Sequence, residues 1–244
     1  MRKATLIVGR GFEISTEPVP EPGPGEARVQ VRACGVCQTE VHAIDGSLAR
    51  PDIPGMMGHE FSGEVVALGP DVTGLEVGTP VACLARGGYG EQVVVPVNQL
   101  FLLPAGVPVE HGAFVEPLAC IVAAVESAEL PMGATALLTG AGPMGLLTLQ
   151  LAHRSRAARV IVSEPDPDRR ALALRLGAAQ AVDPRDGNLA ATVMATTGGA
   201  GAAVAFESSG VPAALADCLQ SAANGGRVVM IGVHPSEARL SLHL

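Results

Sequence analysis

The 244 residues carry a formal net charge of −8, with 48 % hydrophobic and 16 % charged residues. This balance excludes a disordered chain, and the acidic surplus gives no support for binding nucleic acid or an anionic membrane. No apolar run is long enough to span a bilayer, and the apolar stretch after Met1-Arg2-Lys3 is too short for a signal peptide. The five cysteines, an odd number, suit reduced thiols or metal ligands in the cytoplasm better than a disulfide framework.

This length gives room for one large or two modest domains. The first half has the signature of short strands. Residues 4–8 are apolar, and residues 18–25 (PVPEPGPG) form a turn-rich connector. Val29 and Val31 share one face of an alternating run over residues 28–33. Further strand-like runs cover residues 64–68, 81–84 and 92–97, separated by glycine and proline turns. Such punctuation predicts a small barrel or irregular β-domain. Residues 110–130 predict a helix-rich connection, with Ala119, Val122, Ala123 and Val125 as its packing positions.

Two stretches in this half can carry chemistry. One runs from Cys34 to His42 (CGVCQTEVH) and the other is Gly58-His59-Glu60. A thiolate, an imidazole and a carboxylate are the ligand types of a catalytic zinc that keeps one position for substrate, and Cys37, His59 and Glu60 could supply them. Other readings stay open at this point. Cys34-x-x-Cys37 also suits a redox pair or half a zinc knuckle, although no second CxxC completes a knuckle. His59 also suits a hydrogen-bonded structural histidine, Thr39 a helix cap, and Glu116 a capping acid before Pro117. Cys34 is expected to be a buried thiol.

The second half alternates strand and helix. Residues 136–138 form an apolar strand that enters the turn Gly140-Ala141-Gly142-Pro143-Met144-Gly145. A helical pattern follows, and the strand over residues 160–162 ends in Ser163-Glu164. In this context the GxGxxG pattern is a dinucleotide fingerprint. Gly140 permits the tight turn, Gly142 lets a pyrophosphate approach the backbone, and Gly145 lets the helix pack close to the sheet. The first-turn N–H groups, Met144 included, face the phosphates. Glu164, about 20 residues further on, would bind the adenosine ribose and repel a 2′-phosphate, which favours NAD over NADP. Helices are expected over residues 168–176, 187–197 and 212–223, and strands over 181–183, 204–207 and 227–232. Arg169 lies at the adenosine end. Ser208, Ser209, Ile231 and Val233 follow strand ends that line the ligand crevice, although Ile231 also suits plain core packing.

Taken together, GVCQTEVH, PGMMGHEFSGEVVALGPDV, FVEPLA and GAGPMGLL resemble the zinc-dependent branch of the medium-chain dehydrogenase/reductase superfamily, from near residue 4 to the end. Within it, the chain is most similar to the polyol, butanediol and threonine dehydrogenases. The resemblance implies an α/β plus β fold. A GroES-like zinc domain (residues 1–126) would precede a Rossmann domain with a doubly wound parallel sheet (residues 127–244), with the active site in the cleft between. It implies one catalytic zinc on Cys37 and His59, with Glu60 a third ligand or just outside the shell and Glu116 approaching the same metal. It implies that Thr39 receives the substrate proton and that His42 passes it outward. The implied reaction is hydride transfer between a secondary alcohol or polyol and NAD, or less favourably NADP.

There are departures from the pattern. Glu40 stands where the family has aspartate, and Gln38 where it has glycine or serine. The chain passes from Cys83 to Gly87-Gly88-Tyr89 without the four-cysteine lobe of many relatives, so a structural zinc is not expected. Relatives also continue past Leu244, where Leu240, Leu242 and Leu244 begin a strand-like alternation. The Rossmann domain is therefore expected to lack its C-terminal part, and the complete chain to form a homo-oligomer. The competing expectations are a zinc-free NADPH-dependent quinone or enone reductase of the same superfamily, and a non-catalytic cofactor-binding remnant.

Overall fold

The computed structural model describes residues 1–7, 10–47, 58–187 and 189–234. The strand start expected at residues 240–244 lies outside the described residues. The chain divides into two compact units, Met1–Pro117 and Leu118–Leu244.

The first unit is a β-domain. Strands β1 (Arg2–Ile7) and β2 (Gly11–Thr16) pair as an antiparallel hairpin. A second, antiparallel sheet has the order β6-β3-β4-β5-β7, with β3 (Glu26–Cys34), β4 (Phe61–Leu68), β5 (Pro80–Cys83), β6 (Gln92–Pro96) and β7 (Leu100–Leu102). Alternation sets its inner face: Ala27 and Val29 of β3 pack with Phe61, Val65, Val81 and Val95. Strand β7 was not anticipated, because three residues are too few to show a period. Helix α1 (Gln38–Asp45) leaves the end of β3 through residues 35–37 and stops at Gly46, whose φ of 74° suits a residue without a Cβ.

The second unit is the expected doubly wound sheet. Its five strands are parallel in the order β10-β9-β8-β11-β12. They are β8 (Thr135–Thr139), β9 (Arg159–Ser163), β10 (Gln180–Val182), β11 (Ala202–Glu207) and β12 (Ala222–Met230). β8, β9 and β11 are buried on both faces, so they read as continuous apolar runs. Successive residues serve opposite faces. Leu138, Val162 and Phe206 pack beneath α3 (Pro143–Ser155) and the second half of α2 (Val115–Ser127). Leu137, Ile161 and Ala205 pack with α5 (Leu189–Thr196) and α6 (Pro212–Ser221). Helix α4 (Pro167–Arg175) links β9 to β10 and is capped by Asp166, whose carboxylate accepts from the N–H groups of Asp168 and Arg169.

Two expectations need correction. In α2 the buried positions are Pro117, Ile121 and Val125, with Ala128 buried just past its end, while Ala119, Val122 and Ala123 are exposed. Its middle, residues 117–125, is apolar all round, with exposed Leu118 and Val122 as apolar as buried Ile121 and Val125, so the sequence does not single out the packed face. Strand β12 begins at Ala222 and not near Arg227, because Asn224-Gly225-Gly226, which resembles a turn, is a bulge inside the strand. The pairing with β11 shifts register there.

Candidate functional site

Helix α1 begins at the site. Cys37 is its N-cap, and Glu40 at the third helical position accepts the Cys37 N–H at 3.1 Å. Thr39 therefore lies inside the first turn and is not the cap. It is half-buried, one helical turn before His42. The His42 Nδ1 meets Ser47 Oγ at 2.9 Å, and Asp45 lies beyond at 3.8 Å.

The second stretch enters β4. Gly58 has a φ of 61°, and a Cβ there would lie 2.6 Å from the Tyr89 nitrogen, so the turn requires glycine. His59 and Glu60 follow. Among the described residues, Cys37, His59 and Glu60 present a thiol, an imidazole and a carboxylate whose ligand atoms lie within 4.8 Å of one another. Gly35 makes room for this group: its N–H donates to the Glu60 carbonyl at 2.7 Å, and a Cβ on it would lie 2.1 Å from Glu60 Oε2. Glu116, in the first turn of α2, lies outside the 4.8 Å group, but its charge reaches Glu60.

The electrostatics suit a cation. Burial raises the Glu60 carboxyl; His59 and a hydrogen bond from Cys37 lower it, and the charges of Glu116 and Glu40 raise it further, leaving a net upward shift. Burial, then Glu40 and Glu60, push the Cys34 thiol up to about 12. Half-buried Cys34 is thus held as a thiol, donating to the Gly35 carbonyl at 3.4 Å. Several acids crowd a site short of positive charge, and a soft thiol and an imidazole stand beside them. This donor set fits a divalent zinc, with Cys34 outside it.

Sequence reasoning missed the role of Glu40. It is one of the few fully buried acids, at 1 % exposure. Its carboxylate accepts from the Gly58 N–H at 2.7 Å, from the Cys37 N–H and from the Tyr89 hydroxyl, and it faces His59 Nδ1 at 3.4 Å. Burial would raise this carboxyl, but the hydrogen bonds from His59, Tyr89, Gly58 and Cys37 outweigh burial and hold it below its ordinary value. Tyr89 also donates to the Gly35 carbonyl at 3.2 Å. Glu40 is the carboxylate behind the histidine, the partner that metal-binding imidazoles characteristically have. The acid at the third helical position after a cysteine was the available signal.

In the second unit, the glycine turn joins β8 to α3. Gly142 is the N-cap of α3 and Pro143 its first residue, so the N–H groups of Met144 and Gly145 lack intrahelical partners. Gly140 has a φ of 88°. A Cβ on Gly145 would lie 2.1 Å from the Gly140 carbonyl oxygen, whereas one on Gly142 would meet nothing within 4 Å. Helix and strand are therefore in close contact at Gly145, and open space lies over Gly142. Glu164 is buried at the end of β9. Its carboxylate accepts from the Ala141 N–H at 2.7 Å and the Asp166 N–H at 3.0 Å. Arg169 is exposed, while Arg170 donates to the Glu164 carbonyl at 2.7 Å. Ser208 Oγ donates to the carbonyls of Thr139 and Gly140 at 2.8 and 3.0 Å, which ties the β11 loop to the glycine turn. Ser209 is exposed beside it. Ile231 and Val233 follow β12, and Ile231 is half-buried against the core while Val233 is exposed. Among the described residues, no helix is long and apolar enough to cross a membrane.

Known proteins share this sequence pattern and fold. The model of the alcohol dehydrogenase GroES-like domain matches residues 23–105, and that of the zinc-binding dehydrogenases matches residues 143–244. The L-threonine 3-dehydrogenase of Pyrococcus horikoshii is 36 % identical over 96 % of this chain and 76 % of its own length. The (R,R)-butanediol dehydrogenase of Bacillus subtilis is 33 % identical over 93 % of this chain and 77 % of its own. A Bacillus subtilis 2R,3R-butanediol dehydrogenase crystal structure superposes with a TM-score of 0.87 at 31 % identity, covering 98 % of this chain and 79 % of that one. A zinc-binding dehydrogenase of Sinorhizobium meliloti bound to NADP gives 0.90 at 31 % identity, covering 99 % and 79 %. The chain belongs to the zinc-dependent alcohol dehydrogenases of the medium-chain dehydrogenase/reductase superfamily, and it is an oxidoreductase of the branch that holds the threonine, butanediol and polyol dehydrogenases.

Proposed function

We propose that the protein moves hydride between NAD and a secondary alcohol whose neighbouring carbon carries a hydroxyl or amino group, with a single zinc on Cys37, His59 and Glu60. The observation that carries this reading is the thiol, imidazole and carboxylate within 4.8 Å of one another, with buried Glu40 behind the imidazole. Glu116 is the next carboxylate in reach of the group. The substrate class follows from the relatives named for threonine and butanediol. Both of those molecules have a secondary alcohol next to such a carbon.

Zinc in this site supplies a Lewis acid that lowers the pKa of the substrate hydroxyl, and NAD supplies the hydride acceptor. The chain's own residues hold and move the proton. In this reading Thr39, in the first turn of α1, accepts a hydrogen bond from the substrate hydroxyl. His42, one turn further along α1, relays the proton: with Nδ1–H donating to Ser47 Oγ, Nε2 is the basic nitrogen. Glu40 keeps His59 in one tautomer and orientation. The Met144 and Gly145 N–H groups and the open space over Gly142 receive the pyrophosphate, and Glu164 keeps lone pairs for the ribose hydroxyls. A carboxylate at that position disfavours a 2′-phosphate, which is the basis for choosing NAD.

Elemental analysis tests the metal. The expected result is about one zinc per chain, lost in Cys37→Ser. Assays of threonine, 2,3-butanediol and polyols with NAD and NADP side by side test the rest. Turnover that is undiminished in a zinc-free chain would overturn the reading, and a preference for NADP would overturn the cofactor choice.

A further inference from the structure

Glu207 ends β11 and is completely buried, at 0 % exposure. A buried carboxylate persists only when its lone pairs are filled. Here Oε1 accepts the N–H groups of Ser209 at 2.7 Å and Gly210 at 3.0 Å, together with the Ser209 hydroxyl. Oε2 meets His234 Nε2 at 2.8 Å. The His234 side chain is itself only 9 % exposed. An ionised carboxylate can only accept, so the proton in that contact lies on Nε2.

This one residue joins two loops at the carboxyl end of the sheet. Its side chain shapes the loop after β11, and through His234 it holds the loop after β12. Its backbone carbonyl also accepts the N–H groups of Ile231 at 2.7 Å and Gly232 at 2.9 Å. The fit is close: a Cβ on Gly232 would lie 2.3 Å from the Gly210 nitrogen, and one on Gly210 would lie 2.4 Å from the Val233 oxygen. Ser208, next in the chain, is fastened to the glycine turn by the bonds to Thr139 and Gly140.

The strand order says what lies over these loops. A dinucleotide crosses such a sheet where the order reverses, here between β8 and β11. Its adenosine half lies on the side of β9, where Glu164 stands, so its other half lies over β11 and β12.

We propose that Glu207 and His234 are a positioning pair that fixes the loops beneath the nicotinamide half of the cofactor without touching it. This inference rests on the NAD reading above. The pair would set affinity for the whole dinucleotide and leave affinity for its adenosine-diphosphate-ribose half unchanged.

The test is calorimetric titration of the full chain with NADH and, separately, with ADP-ribose. His234→Leu leaves Glu207 Oε2 buried and unpaired and is expected to weaken NADH about tenfold. ADP-ribose affinity should stay within about twofold, well under the effect of one lost hydrogen bond. His234→Gln keeps an N–H donor at the position of Nε2 and is expected to restore most of the NADH affinity. If His234→Leu does not fold, His234→Asn, too short to reach Glu207, replaces it with the same expectations. Equal losses for both ligands would make the pair general scaffolding and overturn the inference. So would NADH affinity unchanged by the leucine and asparagine substitutions. An unaltered chain that binds neither ligand overturns the NAD reading itself, and this inference with it.

Discussion

Glu40 and His59 face each other at 3.4 Å although they come from separate segments, one from the first turn of α1 and the other from the entry to β4. The contact joins the two halves of the candidate zinc site from behind. Replacing Glu40 with glutamine keeps the size and removes the negative charge that His59 faces, but it leaves one acceptor oxygen where the Gly58 and Cys37 N–H groups use two. Zinc affinity is expected to fall by about 10- to 100-fold, the range seen when such outer partners are changed. Competition with a colorimetric chelator measures it. Unchanged affinity in Glu40→Gln would mean that the carboxylate serves only the backbone groups around it.

Two glycine-to-alanine substitutions should separate the metal function from the cofactor function. In Gly35→Ala the new methyl would fall 2.1 Å from Glu60 Oε2, so the carboxylate must move and zinc stoichiometry should fall. In Gly142→Ala nothing lies within 4 Å of the methyl, so thermal stability and zinc content should match the parent. The methyl instead enters the open space proposed above for the pyrophosphate, and NADH affinity should fall by about tenfold or more. Zinc analysis and NADH titration of both variants give the two-way comparison.

Asp183, after β10, pairs with Arg170 at 3.1 Å and with Arg185. Hydrogen bonds from Arg185 hold its carboxyl well below the ordinary value of 3.8. Below that ordinary value the unfolded chain takes up a proton that the folded chain refuses. The stabilisation is therefore complete above 3.8 and fades as pH falls toward the depressed folded value. Asp183→Asn should therefore be less stable than the parent at neutral pH, converge with it toward the acid end, and so show a flatter loss of stability across that acid window. Urea denaturation at a series of pH values reads this directly.

The cysteines should differ in reactivity. Burial pushes the thiols of Cys83 and Cys218 up to about 12, so both remain protonated and shielded in the folded protein. Cys120 is exposed. Brief alkylation at mildly alkaline pH, followed by peptide mass mapping, should label Cys120 well before Cys83 or Cys218. Equal labelling would mean that the folded state opens on the time scale of the reaction.

Sequence pattern and structure agree best where physics leaves few choices. The parallel sheet was legible because strands buried on both faces become unbroken apolar runs such as Leu137-Leu138 and Val160-Ile161-Val162. The glycine turn was legible because each glycine meets a separate steric demand. Cys37, His59 and Glu60 were legible as ligand types and as a family pattern, but their convergence depends on how β3, α1 and β4 are placed, which no local spacing encodes. Glu40 and Glu207 were missed for a related reason. Each is an ordinary acid until the fold buries it and surrounds it with donors. The packed face of α2 was lost because the apolar run over residues 117–125 has no phase, and the start of β12 because a glycine bulge and a glycine turn look alike in one dimension.

Cys37 has two roles in one residue: it caps α1 and belongs to the candidate ligand group. Its carbonyl also accepts the N–H groups of Glu40 and Val41. The helix that carries Thr39 and His42 is therefore anchored at the thiol end, and any change in what the sulfur holds is passed to the first helical turn. Amide hydrogen exchange at Glu40 and Val41 would report occupancy of a site to which neither amide contributes a ligand. A chain stripped of metal would show its loss as fraying of the first turn of α1 before any unfolding of the sheet.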